Sequence, residues 1–234
     1  MQKTYQVDTF QQNLMKTLQI APPPWALEGS GYIFLFKFPK KFVLENAFLA
    51  DYQLTNFWGG FGTLMLVDYQ KSGVGAYREL LFVPGMFNFQ GKKIFSISKI
   101  YVSSANSVYN GIENWGIPKE LADFEVQKIN ENEEIIEVKI AEKTFFKVHL
   151  KKRKFYFPIT TKLFPLKLAQ RLRQDLLLTT SPANGKATFA KLLDCQVNSQ
   201  YFPDVSTLKP IAILAVKDFK MTFPKAEVLE NYFG

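Results

Sequence analysis

The chain has 234 residues, 47% hydrophobic and 21% charged, the balance of a globular protein, which excludes intrinsic disorder, collagen-like repeats and a disulfide scaffold. Twenty-nine Lys and Arg against 21 Asp and Glu leave a formal charge of +8, a field that draws anions without choosing among nucleic acid, lipid and carboxylate metabolites. Aromatic side chains reach 15%, with 23 Phe, which argues for pleated surfaces and a large apolar interior, solid or partly hollow. The length suits one domain over 1–234 around a single β core. The lone cysteine, Cys195, has no internal disulfide partner, and beside Leu192, Leu193 and Val197 it reads as a packed thiol in a reducing compartment. No apolar run nears the ~18 residues of a membrane span, and the first residues lack a signal core, so a soluble cytoplasmic protein without membrane partners is expected.

In chain order, Val7, Phe10, Leu14 and Leu18 recur at helical spacing behind Asp8 and Thr9, which predicts an N-terminal helical extension at about 1–20 that Pro22, Pro23 and Pro24 end. Strand follows strand after that. The expected stretches are Tyr32 to Phe38, Phe42 to Leu49, Gly62 to Tyr69, Val74 to Val83, Lys93 to Val102, Phe124 to Ile129 and Ile135 to Ile140, then Phe145 to Leu150, Ala187 to Val197 and Ile211 to Phe223. Short β-branched and aromatic runs punctuated by Gly, Pro, Asn and Asp are the mark of antiparallel hairpins. Ser103 to Asn114 opens on cap-forming residues and reads as a helix. Pro224 begins a second expected helix through Ala226, Val228 and Leu229. The stretch from Leu163 to Asn184 reads as part helix, part loop.

Phe146, Val148 and Leu150 alternate with Lys147, His149 and Lys151, giving a strand with one apolar and one basic face. The aromatics fall on the apolar side, unlike those of a nucleic-acid surface, and a neighbouring strand with Glu134, Glu137 and Lys139 supplies counter-charge, so a solvated sheet exterior is expected and no nucleic-acid partner. His149 is the only histidine. Histidine triads and multi-histidine metal sites therefore lose their support, and no carboxylate cluster offers a metal site instead. A lysine amine is a nucleophile that works without either, provided it can be made neutral, and Lys119 stands among Trp115, Ile117, Pro118 and Leu121.

Gly111 to Leu121 resembles the active-site segment of the acetoacetate decarboxylase family, a helix ending in a Glu-containing turn that leads to Pro-Lys. Gly75 to Leu80 is similar to the family strand with a Gly-x-Tyr-x-Glu pattern, Phe95 to Ser103 to the strand that enters the helix, and Leu192 to Asp194 and Phe223 to Val228 to the closing segments. The resemblance implies a mainly β (α+β) fold, an antiparallel cone-like barrel with surrounding sheet and a few helices, with no cofactor and no metal. It implies Lys119 as the Schiff-base lysine, Glu79 and Glu113 as acidic site residues, and Tyr77, Trp115, Ile117 and Glu120 as pocket or pKa-tuning residues. The implied activity is decarboxylation of a small β-keto acid, often by a homo-oligomer. Two features depart from the family. A second lysine directly before or close to the catalytic one is usual, whereas here Pro118 precedes Lys119 and Glu120 follows it. A close carboxylate would raise the amine, but in an extended segment Glu120 points away from the pocket, and burial would then have to supply the neutral amine. The substrate-binding arginine position aligns with Ser30, next to Gly31, leaving Lys37, Lys40 and Arg78 as substitutes. The missing arginine favours two alternatives: aldol cleavage or dehydration of a larger keto acid through the same Schiff base. A non-catalytic apolar ligand carrier is the non-enzymatic one.

Overall fold

The computed structural model describes residues 18–162 and 166–234; the expected N-terminal helix falls on residues that lie outside this description. Seventeen strands and three helices follow. In chain order these are β1 (Trp25–Phe36), α1 (Lys40–Asn46), α2 (Asp51–Leu54), β2 (Phe57–Gly59), β3 (Gly62–Lys71), β4 (Tyr77–Val83), β5 (Met86–Phe89), β6 (Lys92–Phe95), β7 (Lys99–Val102) and α3 (Ala105–Trp115). The second half holds β8 (Lys119–Leu121), β9 (Asp123–Asn130), β10 (Glu133–Ile140), β11 (Lys143–Lys152), β12 (Phe157–Thr160), β13 (Leu166–Leu172), β14 (Asp175–Ser181), β15 (Ala183–Val197), β16 (Ala212–Phe223) and β17 (Glu227–Leu229).

Eleven strands form one sheet in the order β8, β7, β4, β3, β1, β16, β15, β11, β10, β9, with β12 also on β15. Its two end strands, β8 and β9, are consecutive in the chain and joined through Ala122. The ladder is therefore open, but the sheet curls on itself: one core gathers Phe34 and Phe36 of β1, Leu64 of β3, Phe82 of β4, Tyr101 of β7 and Val148 of β11. The large sheet is thus curled but is not a closed barrel. A six-stranded sheet in the order β17, β14, β13, β6, β5, β2 covers the outer face. Phe34, Phe82, Phe146 and Phe202 are almost completely buried in the curled sheet, and each such ring is worth about 3–5 kcal/mol against Ala.

The central strands have two apolar faces because both are covered. Even-numbered residues of β3 and β4, namely Leu64, Leu66, Leu80 and Phe82, enter the curled core. Odd-numbered Met65, Val67, Glu79 and Leu81 face a cavity on the side of the smaller sheet. On β16 the alternation changes: Ile213 and Ala215 belong to the curled core, while Phe219, Met221 and Phe223 pack on the other side. A register shift opposite Gly29 to Gly31 of β1 carries the switch, with Asp218 in left-handed backbone at φ 50°. Gly31 has no room for a side chain, since a Cβ there would meet the Leu66 carbonyl oxygen at 2.3 Å.

Four expectations need correction. Phe42 to Leu49 is not a strand; α1 occupies Lys40–Asn46 and buries Val43, a single inward position that a helix satisfies. The expected C-terminal helix is instead β17, which pairs with β14. Leu163 to Asn184 holds the β13–β14 hairpin, its turn running through Arg173 at φ 58°. Lys93 to Val102 is two strands, because the chain passes there from the smaller sheet to the larger. The crossing is fixed by a buried network in which Gln53 Nε2 donates to Ser96 Oγ at 2.7 Å and Ser96 Oγ donates to Gln170 Oε1 at 2.7 Å.

The β11 stripe is a wet face of mixed charge. Lys147 reaches Glu137 at 2.7 Å, His149 Nε2 lies 2.9 Å from Glu133, and Lys151 lies 3.1 Å from Glu133. Glu134 sits on the other face of β10, buried and bound by the Tyr32 hydroxyl. No described helix is long and apolar enough to cross a membrane.

Candidate active site

The α3–β8 connection brings Lys119 to its place. Ser104 caps the helix by accepting from Ser107 N–H, and Gly116 ends it in left-handed backbone at φ 65°. Three residues later β8 begins, so Lys119 and Glu120 point to opposite faces of the strand. Lys119 turns inward against α3, and its stem needs the glycine it crosses: a Cβ on Gly111 would lie 2.6 Å from Lys119 Cδ.

Lys119 is 7% exposed and its Nζ has three partners: Glu79 Oε2 at 3.0 Å, Ser107 Oγ at 3.0 Å and the Tyr77 hydroxyl at 3.3 Å. An ammonium has three N–H donors, and all three are taken. Glu79, 4% exposed, keeps its other oxygen for the Tyr69 hydroxyl, which donates to Oε1 at 3.3 Å. The Tyr69 and Tyr77 rings stand 4.7 Å apart, on paired positions of β3 and β4. Trp115 and Ile117 are buried beside this group and line the same cavity.

Burial pushes the Lys119 ammonium toward neutrality, but the Glu79 charge leads a set of opposing interactions, with Tyr77, that together hold it above the ordinary lysine range. The expectation of an amine kept neutral by its apolar surroundings is thus corrected: at rest the site is a buried ammonium–carboxylate pair. Both phenols stay protonated, Tyr69 pushed well up by burial and the Glu79 charge, Tyr77 pushed up by burial against the pull of Lys119.

Lys119, Glu79, Tyr77, Trp115 and Ile117 come together; two expected residues do not. Glu120 is on the outer face of β8, paired with Lys99, and makes no contact with the Lys119 amine. Glu113 lies on the outside of α3, 3.0 Å from Arg173. Ser107 and Tyr69 escaped the sequence reading. Ser107 was legible in principle from its i, i+4 spacing to Gly111 and i, i+8 spacing to Trp115, one face of a helix. Tyr69 needed the β3–β4 register.

The cavity before Lys119 has a volume of about 410 Å³. Its described lining contains one cation, Lys119, and one carboxylate, Glu79. None of the candidate replacements for the arginine reaches it: Lys37 and Lys40 are exposed, and Arg78 points to the opposite face of β4, 3.6 Å from Asp68. Cys195 has no part in it, and burial pushes its thiol up to about 12.

The family model described as acetoacetate decarboxylase matches residues 48–207, which spans β2 to β15 and includes Glu79 and Lys119. The chain belongs to the acetoacetate decarboxylase family. Among solved structures, it is similar to an acetoacetate decarboxylase from Legionella pneumophila at 14% identity, over 91% of this chain and 90% of that one, with a TM-score of 0.65. It is similar to the enduracididine biosynthesis enzyme MppR complexed with pyruvate at 13% identity, over 93% and 94%, with a TM-score of 0.63. It also resembles an acetoacetate decarboxylase-like enzyme from Sphingomonas wittichii RW1 at 10% identity, over 91% and 95%, with a TM-score of 0.65. At these identities the likeness is one of fold. No curated protein matches the sequence.

Proposed function

We propose that the protein decarboxylates a β-keto acid through a Schiff base on Lys119, with Glu79 as its proton partner. The observation that carries this reading is the buried Lys119–Glu79 pair at 3.0 Å, facing a cavity large enough for an organic substrate. A buried ion pair is a poor device for stability, since taking both charges from water costs several kcal/mol per ion. Its place at the wall of an otherwise apolar cavity favours chemistry over simple carriage of an apolar ligand.

The pair meets the needs of the first step. Proton transfer from Lys119 to Glu79 converts two buried charges to an amine and a carboxylic acid, a change that low polarity favours. The amine attacks the ketone carbon and one of its hydrogens passes to the former carbonyl oxygen as the carbinolamine forms. Glu79 then returns its proton to that hydroxyl, which leaves as water while the protonated iminium forms. Glu79 is then a carboxylate beside a cation once more. In the second step the bond from the α-carbon to the carboxylate breaks, its electron pair flows toward the iminium nitrogen, and carbon dioxide leaves. Protonation of the enamine carbon and hydrolysis release the ketone and restore Lys119. With no arginine or second lysine among the described lining residues, the iminium is the substrate carboxylate's counter-charge. A carboxylate held only by that cation in an apolar cavity is desolvated, which favours its loss as neutral carbon dioxide.

The test is to incubate the protein with acetoacetate, add borohydride and map the adduct by mass. The expected result is reductive alkylation at Lys119, with carbon dioxide release, and neither in Lys119→Met.

A further inference from the structure

The rows of side chains along β1, β3 and β4 grade from polar to apolar as they leave Lys119. Tyr77 faces Tyr69, and Glu79 faces Val67, which in turn faces Gly31. The next row is Leu81, Met65 and Ile33, and the one after it Val83, Thr63 and Leu35. All of these line the same cavity. Leu168 of β13 faces them from the smaller sheet. Ser181 Oγ is the one buried side-chain atom of the described lining that lacks a hydrogen-bond partner. A molecule with its carbonyl at Lys119 therefore meets hydrocarbon along the cavity, and a second charge would be buried there unpaired.

We infer that the substrate is a keto acid carrying a hydrocarbon chain of about eight to ten carbons, not a four-carbon acid; the inference rests on the Lys119 reading above and specifies its substrate. Two measures of size agree. From Glu79 to Val83 is four residues of strand, roughly 13 Å at 3.3–3.4 Å per residue, which an extended chain covers in about ten bonds at ~1.2 Å each. The volume of about 410 Å³ holds roughly fourteen groups at ~30 Å³ apiece, close to the number of heavy atoms in a twelve-carbon 3-oxo acid. The absence of a second cation from the described lining agrees as well. A four-carbon acid must be recognised through its charge, whereas a long chain supplies binding through burial at about 0.8 kcal/mol per methylene.

The test is a series of 3-oxo acids from four to twelve carbons, followed by carbon dioxide release above the uncatalysed rate, with borohydride trapping on each. In parallel, the binding of the corresponding methyl ketones to Lys119→Met is measured by displacement of an apolar fluorescent dye. Both kcat/KM and ketone affinity are expected to rise roughly three- to fourfold per methylene, a hundredfold or more between four and ten carbons. Met65→Trp, which fills the third row, is expected to lower the ten-to-four-carbon ratio of kcat/KM at least tenfold. If acetoacetate is trapped at Lys119 and turned over as well as the ten-carbon acid, the chain-length inference is overturned and the Schiff-base reading stands. If no member of the series is trapped, the Schiff-base reading fails; a flat ketone series in Lys119→Met would then overturn the chain-length inference on its own.

Discussion

Strands β3 and β4 separate two interiors of opposite character. On one face Leu64, Leu66, Leu80 and Phe82 pack into the curled sheet against Phe34, Phe146 and Phe202, with the Phe82 and Phe202 rings 5.9 Å apart. On the other face Met65, Val67, Glu79 and Leu81 border open space and a buried ion pair. Neighbouring residues of one strand thus face a filled core and a cavity with a buried ion pair in alternation, and the filled side supplies the rigidity that a costly polar group on the hollow side requires. Among the described residues, more buried Phe side chains pack on the filled side than around Lys119.

Substitutions on the two faces should therefore separate. The largest effect is expected from Lys119→Met, which should remove both decarboxylation and the borohydride adduct while the circular dichroism spectrum keeps its β form; the denaturant midpoint should fall, because Glu79 is left buried without its partner. Glu79→Gln should lower kcat by about 10²–10⁴-fold through loss of the proton partner. It should also shift the pH midpoint of borohydride trapping downward, because burial then acts on Lys119 without the opposing carboxylate. A merely structural glutamate would lower protein yield without moving that midpoint. On the filled face, Phe82→Ala should cost about 3–5 kcal/mol of unfolding free energy by urea titration, with kcat/KM of the surviving folded protein changed far less than in Glu79→Gln.

The pH dependence of stability follows from the same pair. Lys119 is held above its usual 10.5 in the folded state, so its contribution is complete below the unfolded pKa and is lost as pH rises through the higher folded value. The wild type should thus lose more stability than Lys119→Met between pH 10 and 12, read as urea midpoints at each pH. The smallest effect is expected at Glu120, exposed and paired with Lys99 on the outer face. Glu120→Gln should leave kcat/KM within about twofold, since exposed pairs contribute ~0–1 kcal/mol; a large change would place that side chain in the site after all.

Much of this was legible in the sequence, and what was not has local causes. Alternation marked β11, which has one solvated face, whereas β3 and β4 were legible as short apolar runs bounded by Gly, Asp and Pro, because both of their faces are covered. The capping residues at Ser103 and Ser104 gave α3, and the inward lysine came from the family resemblance of the Gly111 to Leu121 segment. The β13–β14 hairpin was hidden because its turn uses Arg173 at positive φ, without the glycine that advertises such a turn. The break at Ser96 to Ser98 was hidden because its hydrogen bonds come from Gln53 and Gln170, far away in the chain. The site divided along the same line. Lys119 and Glu79 sit in recognisable local patterns, whereas their pairing depends on β4 lying beside β7 and β7 beside β8. The charge state of the lysine followed that contact rather than the apolar composition around it, and Glu120 left the site because one step along a strand reverses the face.

The most direct test of the Lys119–Glu79 pair as a Schiff-base device is borohydride trapping at neutral pH with acetoacetate and 3-oxodecanoate, read by peptide mass mapping. A single reduced adduct on the peptide carrying Lys119, absent from Lys119→Met and slowed in Glu79→Gln, is the predicted result. An intact protein with no adduct from either acid, or with adducts spread over exposed lysines and none at Lys119, would contradict it.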